Sequence, residues 1–308
     1  MLRTCLIFNP SAGRGRADKW VRGLREDRLI GIQFEPTQRA GHAVELARAA
    51  ADAGYEKVIA AGGDGTVHEV ANGLLQSANR GVIFSTWPVG SANDYAYSLG
   101  MQAWWKRQSE PTEVREVDVG RVSATGRERY YVNALGVGFN GMVTLESRSI
   151  RWLTGMPLYA WAFLKAMVKH FEQPPLRVRF DGNSVEAPTL ALTINLAQRE
   201  GGFPITPHAD LADGLFDYLH ATKLKRWHLI RYLPAMIRGA LPRDHPLLHT
   251  GRAARIAIES ETPLCIHADG EFFCTPADGI REVAVEVLPK RLKVEVFPPM
   301  LYGGRKSP

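Results

Sequence analysis

The first hundred residues alternate between short apolar runs, typical of buried strands, and longer runs with helical spacing. Predicted strands occupy residues 4–8, 30–34, 57–61 and 82–86, and predicted helices occupy residues 17–24, 43–53 and 67–76. Strands separated by helices of this length predict βαβ units and a parallel sheet. Such sheets bind ligands beyond the carboxyl ends of their strands, where three loops are predicted, at residues 9–16, 62–66 and 88–94.

Beyond about residue 112 the pattern changes to period-two alternation between turns. Predicted strands lie at residues 114–122, 130–135, 176–180, 189–196, 253–258, 283–288 and 292–297. This pattern predicts an antiparallel sandwich with helical insertions. The expected fold class is therefore α/β plus all-β, with an N-terminal parallel-sheet domain over residues 1–115 and a C-terminal antiparallel β-sandwich domain over residues 116–308. The last residues are a candidate to return to the first domain.

The chain has a net charge of +6, which suits a nucleic acid, an anionic membrane surface or a polyphosphate substrate. Because the arginines are scattered, we expect no nucleic-acid partner. The sequence leaves open whether the protein forms a homodimer. The three cysteines indicate neither a disulfide framework nor a metal site. No apolar run reaches the ~18 residues of a membrane-spanning helix. We expect a cytoplasmic protein in peripheral contact with a membrane.

The segment Gly62-Gly63-Asp64-Gly65-Thr66 lies between a predicted strand and a predicted helix. Glycine lets the backbone approach a ligand closely, and the free amides at the start of a helix attract phosphate. Asp64 can serve a magnesium ion or accept a hydroxyl proton. A tight turn with a capping Asp is the simpler alternative, but such a turn does not need three glycines.

Two neighbouring loops strengthen this interpretation. The first, residues 9–16, combines small residues with Arg14 and Arg16, and the second, residues 88–94, offers the Ser91 hydroxyl. The P-loop ending, the protein-kinase motifs and the dinucleotide fingerprint are all absent from the sequence. Each loop alone is typical of an ordinary connection, whereas three on one sheet edge favour a nucleotide cleft.

These residues resemble the motifs of the diacylglycerol kinase catalytic-domain family, which bacterial lipid kinases and sphingosine kinases share. The resemblance covers nearly the whole chain. Its motifs are, in order, Asn9-Pro10, Gly62–Thr66 with Glu69 and Asn72-Gly73, Pro88-x-Gly90-Ser91-x-Asn93-Asp94, the acidic segment Asp210–Leu215, and the turn Asp269-Gly270-Glu271. Two positions depart from the family. Ser91 replaces the usual Thr and keeps its hydroxyl, and His68 replaces an Asn at a nucleotide contact.

The resemblance implies an N-terminal domain similar to NAD kinase and phosphofructokinase, a C-terminal β-sandwich, and an active site between them. It implies an ATP-dependent lipid kinase that phosphorylates the hydroxyl of diacylglycerol or a similar membrane lipid, with ATP and Mg²⁺ as cofactors. The implied ATP-binding residues are Asn9, Thr37, Gly62, Gly63, Asp64, Gly65, Thr66 and Ser91. Implied ligands of a structural magnesium ion are the side chains of Asp210 and Asp213 and the carbonyl of Leu215.

Phosphoryl transfer needs a divalent ion, positioned amides and a base for the attacking hydroxyl. Glu271 is the preferred base, and Asp269 and Asp64 are the other candidate catalytic carboxylates. The sequence does not separate base from metal ligand among the three, and an Asp-Gly pair also favours a plain hairpin turn.

Other functions stay open. They are a kinase for another lipid alcohol (a sphingoid base, phosphatidylglycerol or an isoprenoid alcohol), a non-catalytic lipid- or nucleotide-binding regulator, and an NAD kinase. The intact carboxylates argue against the regulator, and the position of the Asp-Gly-Glu turn argues against the NAD kinase.

Two apolar segments bear on the membrane. Residues 152–168 are rich in Trp, Leu, Met and Phe, and residues 227–241 combine apolar side chains with Arg231 and Arg238. Basic amphipathic helices rest on anionic headgroups, although packing against the protein's own core explains both segments equally well. We expect both segments to border the lipid entrance.

Overall fold

The computed structural model describes residues 2–26, 31–102, 104–107, 110–150, 152–153, 155–242 and 244–297, so the predicted strand start at Ile30 and the chain end at 298–308 lie outside it. The first strands are β1 (Thr4–Phe8), β2 (Ile32–Pro36), β3 (Lys57–Gly62) and β4 (Ile83–Pro88). The helices between and after them are α1 (Ala12–Glu26), α2 (His42–Asp52), α3 (Asp64–Gln76) and α4 (Asp94–Ser98). The strands pair in parallel in the order β2-β1-β3-β4, which confirms the predicted sheet.

The strand order reverses at β1, because β2 and β3 pair with its two sides. The loops after β1 and β3 therefore border the crevice where parallel sheets bind ligands. The predicted loop over residues 9–16 was too long, since α1 begins at Ala12. The reason is local: the Ser11 amide donates to Asn9 Oδ1 and the Ala12 amide to the Asn9 carbonyl, which closes the turn early.

Strands β5 to β16 make up the second half and form two antiparallel layers. Their bounds are β5 (Glu113–Ala124), β6 (Arg127–Tyr131), β7 (Ala134–Gly138), β8 (Pro175–Phe180), β9 (Asn183–Asn195), β10 (Phe216–Thr222), β11 (Asp244–His245), β12 (Leu248–Ala253), β13 (Arg255–Ser260), β14 (Ile266–Ala268), β15 (Glu271–Cys274) and β16 (Glu282–Val296). One layer runs β6-β5-β16-β13-β8, and the other runs β11-β12-β10-β9-β7-β14-β15. Apolar side chains from both layers share one buried cluster, which confirms the β-sandwich.

Strand β16 joins the sandwich to the first sheet. Its N-terminal part pairs with β13, and its residues Lys293 and Val294 pair in parallel with β4. The two strands predicted at 283–288 and 292–297 are one strand with a shifted register between Leu288 and Leu292. A buried carboxylate stabilises that irregularity, because Asp118 Oδ1 accepts from the Lys290 amide at 2.8 Å.

Three helices of the second half cover one side of the sandwich and correspond to the predicted helical insertions. They are α5 (Phe139–Ser149), α6 (Met156–Lys169) and α7 (Arg226–Ile237). Their apolar side chains form a common cluster with β9 and β10. Within the described residues, every helix is too short or too polar to cross a bilayer.

Buried His220 on β10 makes stability depend on pH. Its Nε2 lies 2.8 Å from Thr189 Oγ1, and burial, assisted by neighbouring His249, lowers its pKa to about 4. The unfolded chain takes up this proton near the ordinary pKa of 6.5, whereas the folded protein does not. The stability that neutral His220 provides is therefore present above pH 6.5 and is lost as the pH falls towards 4.

We expect the free energy of unfolding to fall by about 2 to 3 kcal/mol between pH 7 and pH 4 through this group alone. His220→Gln removes the titration, so the variant should lose less stability over that range even if it is less stable at pH 7. Urea unfolding of both proteins at several pH values measures how the free energy of unfolding changes with pH in each. The same change in both proteins would contradict the role of His220.

Candidate active site

A cavity of about 730 Å³ lies between the parallel sheet and the sandwich. The first half contributes the segments after β1, β2, β3 and β4, and the second half contributes the β14–β15 turn, α5 and α6. The predicted site residues that line the cavity are Asn9, Thr37, Gly63, Asp64, Gly65, Thr66, Ser91, Asp269 and Glu271. Gly62 lies behind the lining, where a Cβ would meet Thr66 Oγ1 at 2.3 Å.

The glycine loop is in close contact with the loop after β4. A Cβ built on Gly90 would lie 2.3 Å from the Gly63 Cα, so position 90 has no room for a side chain. A Cβ on Gly63 would lie 3.2 Å from the Gly90 Cα, which is also a tight contact. Gly63 is the N-cap of α3 and has no side chain that could block the first amides of the helix. The amides at this helix start therefore border the cavity, where they can bind phosphate.

Asp64 connects the two loops. Its carboxylate accepts from the Asn93 amide at 2.9 Å and from the Asp94 amide at 2.7 Å. Burial raises the pKa of Asp64, and these two amides oppose the rise. The side chain thus fixes the glycine loop against the start of α4.

Asp94 links the halves of the protein, a role that the sequence did not reveal. Its carboxylate accepts from the Gly202 amide at 3.0 and 3.2 Å, and Arg199 Nε lies 3.8 Å away. Burial and then the Asp64 carboxylate raise the pKa of Asp94 to about 7, against the effect of Arg199. Two acidic side chains are therefore held close together beside the glycine loop.

Glu69 of α3 lines the cavity and contacts the segment after β2. Its two carboxylate oxygens accept from the amides of Gly41 and Ala43 at the start of α2, at 2.9 and 3.1 Å. Thr37, just before that helix, donates its amide to the Phe8 carbonyl. Of the two arginines after β1, Arg16 donates to the Gly13 carbonyl, and the side chain of Arg14 lies outside the described part of the chain.

Glu271 approaches the glycine loop from the other half. A Cβ on Gly65 would lie 3.6 Å from Glu271 Oε1, so the two segments face each other directly. Arg148 of α5 donates to Glu271 Oε2 at 2.8 Å and to the Gly270 carbonyl at 3.0 Å. These contacts hold the carboxylate at the cavity.

Asp269 is fully occupied by four donors. The amides of Val132, Asn133 and Ala134 donate to its oxygens at 2.9 to 3.0 Å, and His68 Nδ1 lies 3.0 Å from Oδ2. These amide contacts interrupt the predicted strand at 130–135, which is why it forms two strands. His68 is buried against Asp269 and does not line the cavity.

The acidic segment predicted to hold a structural ion lies outside the cavity lining. Asp210 accepts from the Ala212 amide, Asp213 accepts from the Leu215 amide, and Arg252 pairs with Asp213. In the part of the chain described, no three His, Cys, Asp or Glu side chains are grouped to hold a metal. Asp217 Oδ2 accepts no hydrogen bond, although Arg252 Nε lies 3.7 Å from it, so a carboxylate oxygen of the kind that magnesium prefers is present here.

Comparisons with known proteins agree with this arrangement. Residues 3–122 match the diacylglycerol kinase catalytic domain, and residues 133–296 match the YegS C-terminal NAD kinase beta sandwich-like domain. A diacylglycerol kinase of Bacillus subtilis (strain 168) is 29% identical over 286 residues, covering 88% of this chain and 90% of that protein. A YegS-like lipid kinase of Chromohalobacter salexigens is 33% identical over 250 residues, covering 76% of each.

The chain belongs to the diacylglycerol kinase catalytic-domain family. It is a lipid kinase. The fold agrees with a crystal structure of a diacylglycerol kinase from Bacillus anthracis str. Sterne, with a TM-score of 0.70 at 19% identity over 96% of this chain and 97% of that one.

Sequence reasoning missed several residues of this lipid kinase site. Arg148, Glu200 and His267 all line the cavity or hold its walls. The side-chain contacts of Arg148 with Glu271, of Asn140 with Glu200 and of His267 with Glu200 join residues that are 123, 60 and 67 positions apart. No local pattern signals such contacts.

The contact between Gly63 and Gly90 gives a sharp test of the lipid kinase site. Gly90→Ala should separate the two loops and lower kcat/KM by roughly 100-fold, because small displacements of positioning groups have effects of that size. Gly23→Ala is the matched control, since a Cβ at that helical position meets nothing within 4 Å. Equal activity of the two variants in a phosphoryl-transfer assay would contradict the role of this contact.

Proposed function

We propose that this lipid kinase transfers the terminal phosphoryl group of ATP to the hydroxyl of diacylglycerol or a similar membrane lipid. The observation that supports this proposal is that the glycine loop and Glu271 face one cavity from opposite sides. The proposal divides the chain into an ATP-binding part, residues 1–115, and a lipid-binding part, residues 116–308.

The nucleotide belongs on the side of the parallel sheet. Gly63, Asp64, Gly65 and Thr66 bind the phosphates through backbone amides and the Thr66 hydroxyl, with Asn9, Thr37 and Ser91 alongside. Gly62 lies behind them and leaves space for the Thr66 side chain. The positive end of α3 favours the negative charge of the triphosphate. A magnesium ion bound with ATP neutralises charge that develops on the phosphates.

The acceptor belongs on the opposite side, where the cavity wall is apolar. That wall is formed by Phe139, Val143, Phe163, Phe203, Ile205 and Met236. Apolar walls of this kind favour acyl chains over water. A lipid hydroxyl at the inner end of this wall meets the glycine loop and Glu271 together.

Glu271 acts as the general base. Its carboxylate takes the proton of the lipid hydroxyl while the hydroxyl oxygen bonds to the terminal phosphorus and the bond to the ADP oxygen breaks. Arg148 positions the carboxylate through its ion pair. Asp64 and Asp269 position the two facing segments: Asp64 fixes the glycine loop, and Asp269 has no free oxygen lone pair for substrate.

We expect transfer of radiolabelled phosphate from ATP to diacylglycerol in mixed micelles, and no transfer in excess EDTA. Glu271→Gln should lower kcat by about 100-fold or more while ATP still binds, because only proton removal is lost. Asp64→Asn should instead weaken ATP binding, since it loosens the loop. Separate measurements of ATP affinity and turnover distinguish the two effects.

Glu261→Gln serves as the matched control, because Glu261 is exposed and lies outside the cavity lining. Undiminished turnover in Glu271→Gln would refute its role as base. Absence of transfer to diacylglycerol and to every other lipid alcohol tested would refute the proposed activity.

We also propose that Asp210, Asp213 and the Leu215 carbonyl hold a structural magnesium ion, with Asp217 adding an oxygen. The support is the set of hard oxygen donors together with Asp217 Oδ2, which accepts no hydrogen bond and lies 3.7 Å from Arg252 Nε. Binding to the folded state alone raises the unfolding temperature. A thermal midpoint that magnesium and EDTA leave unchanged, or that shifts equally in Asp213→Asn, would contradict this ion site.

The solvent face of α7 is proposed to contact the membrane. Trp227, Ile230 and Ile237 are 54%, 59% and 38% exposed and recur at helical spacing, with Arg231 and Arg238 beside them. The opposite face of α7 packs on the cluster shared with α5 and α6, and its Met236 lines the cavity. The exposed apolar stripe is thus carried by a helix that also walls the acceptor side, and its arginines complement anionic headgroups.

Flotation with vesicles that contain anionic phospholipid tests this surface. Ile230→Glu should lower the bound fraction about fivefold, and charge reversal at Arg231 and Arg238 should lower it further, because both changes weaken insertion at an anionic surface. Val185→Glu is the matched control, since Val185 is 42% exposed on β9 and is paired with Val178 of β8. Equal flotation of all these variants would rule out the α7 surface.

A further inference from the structure

Tyr159 of α6 lines the cavity and is half-buried there. Its hydroxyl makes no hydrogen bond to any residue that the structure describes, yet it is not one of the oxygens that burial separates from the cavity. Tyr95 lines the same cavity, and its unpaired hydroxyl is buried in that way. The Tyr159 hydroxyl is therefore open to a bound molecule.

The other side-chain donors that the second half contributes to the cavity lining are already engaged. Each of them donates to another group of the second half, and they are Asn133, Asn140, Thr144, Ser147, Arg148 and His267. Among the described lining residues of this half, Tyr159 thus offers the side-chain donor that has no partner within the protein.

The ring of Tyr159 packs on a turn that joins the two halves. A Cβ on Gly201 would lie 3.2 Å from the ring, so the ring rests directly on the backbone of that turn. The next residue, Gly202, donates its amide to the Asp94 carboxylate of the first half. The turn under the ring is therefore fixed, and it holds the ring in place.

The start of α6 also meets the first half. A Cβ on Gly155, the N-cap of α6, would lie 3.6 Å from the Ser91 carbonyl oxygen in the loop after β4. The Tyr159 amide donates to the Gly155 carbonyl, so Tyr159 follows this contact by one helical turn. Tyr159 therefore belongs to the second half but lies where the cavity meets the glycine loop's partner loop.

The charges that act on the Tyr159 hydroxyl come from both halves. Burial and then the Asp64 and Asp94 carboxylates raise the pKa of Tyr159, and Arg148 opposes the rise. The phenol therefore keeps its proton and is a neutral hydrogen-bond donor. On the proposed function, this donor lies between the phosphates at the glycine loop and the lipid hydroxyl at Glu271.

A donor at this position complements the glycine loop. A phosphoryl group in transfer carries negative charge on its equatorial oxygens, and donors fixed in advance stabilise that charge. The amides of the glycine loop approach it from the first half. Both arginines that line the cavity are ion-paired, Arg39 with Glu45 and Arg148 with Glu271.

We propose that the Tyr159 hydroxyl donates a hydrogen bond to an oxygen of the terminal phosphoryl group while that group passes from ATP to the lipid hydroxyl. Tyr159 is then a further catalytic residue. It keeps its proton throughout, since the proton of the lipid hydroxyl goes to Glu271 and the electron pair of the broken bond stays on the ADP oxygen. This inference rests on the proposed function.

Tyr159→Phe removes the hydroxyl alone. We expect kcat to fall roughly 10- to 100-fold, with the KM values for ATP and lipid within about twofold of wild type, because a bond made only in the transition state lowers kcat and kcat/KM equally. The thermal midpoint should not fall, since the hydroxyl has no partner among the described residues. The assay uses ATP with diacylglycerol in mixed micelles, or with the lipid alcohol that the wild-type enzyme uses best.

Tyr55→Phe is the matched control, because Tyr55 is also half-buried and lies outside the cavity lining, just before β3. It should keep the wild-type kcat. A binding measurement complements turnover: ADP with aluminium fluoride, which mimics the phosphoryl group in transfer, should bind Tyr159→Phe about tenfold or more weakly than wild type. Binding of ADP alone should not change.

A rise in the KM for lipid or for ATP with unchanged kcat would place the hydroxyl on the acceptor or the nucleotide and overturn the inference. A lowered thermal midpoint in Tyr159→Phe, a fall in kcat shared by Tyr55→Phe, or wild-type kcat in Tyr159→Phe would overturn it too, and each leaves the proposed function intact. No transfer by the wild-type enzyme to diacylglycerol or to any other lipid alcohol refutes the proposed function itself.

Discussion

The geometry of the candidate active site depends on the Asp269 carboxylate more than on any other single group. It accepts from three successive amides that separate β6 from β7, and from His68 on α3 of the first half. Four donors satisfy a carboxylate completely, so its position is fixed from both halves. Since Glu271 follows two residues later in a tight turn, the same bonds set where that side chain meets the glycine loop.

A second constraint acts against stability. Asp64 and Asp94 lie buried beside each other, and burial raises the pKa of both groups. Repulsion adds to the rise, from Asp269 on Asp64 and from Asp64 on Asp94. Backbone amides and Arg199 offset only part of this unfavourable energy. Functional sites often keep such repulsion because the ligand relieves it. On the proposed function, a cation that binds with the nucleotide relieves the repulsion between these carboxylates.

The sequence predicted what local patterns determine. The parallel strands and helices follow from their spacing of apolar residues, and the three loops share an edge because parallel strands end together. The predicted strand bounds were wrong where a residue distant in the chain contacts the predicted strand. The strand at 130–135 is interrupted by Asp269, and the strands at 283–288 and 292–297 are joined across a bulge that Asp118 stabilises. The sequence also did not predict the contacts of Glu200 with Asn140 and His267, because the fold of the sandwich brings these residues together.

The volume of the cavity limits how much of a lipid can enter. Pockets of about 300 to 1,000 Å³ hold one drug-sized ligand. On the proposed function, a cavity of about 730 Å³ that accommodates a nucleoside triphosphate has room left for a headgroup and the first part of its chains. The remaining acyl chain would then stay in the bilayer, and the proposed membrane contact agrees with the exposure of Trp161 and Trp227 on helices that wall the cavity. On the same proposal, recognition of the acceptor is confined to its headgroup, so the side chains at the inner end of the cavity have more influence on acceptor choice than the apolar wall.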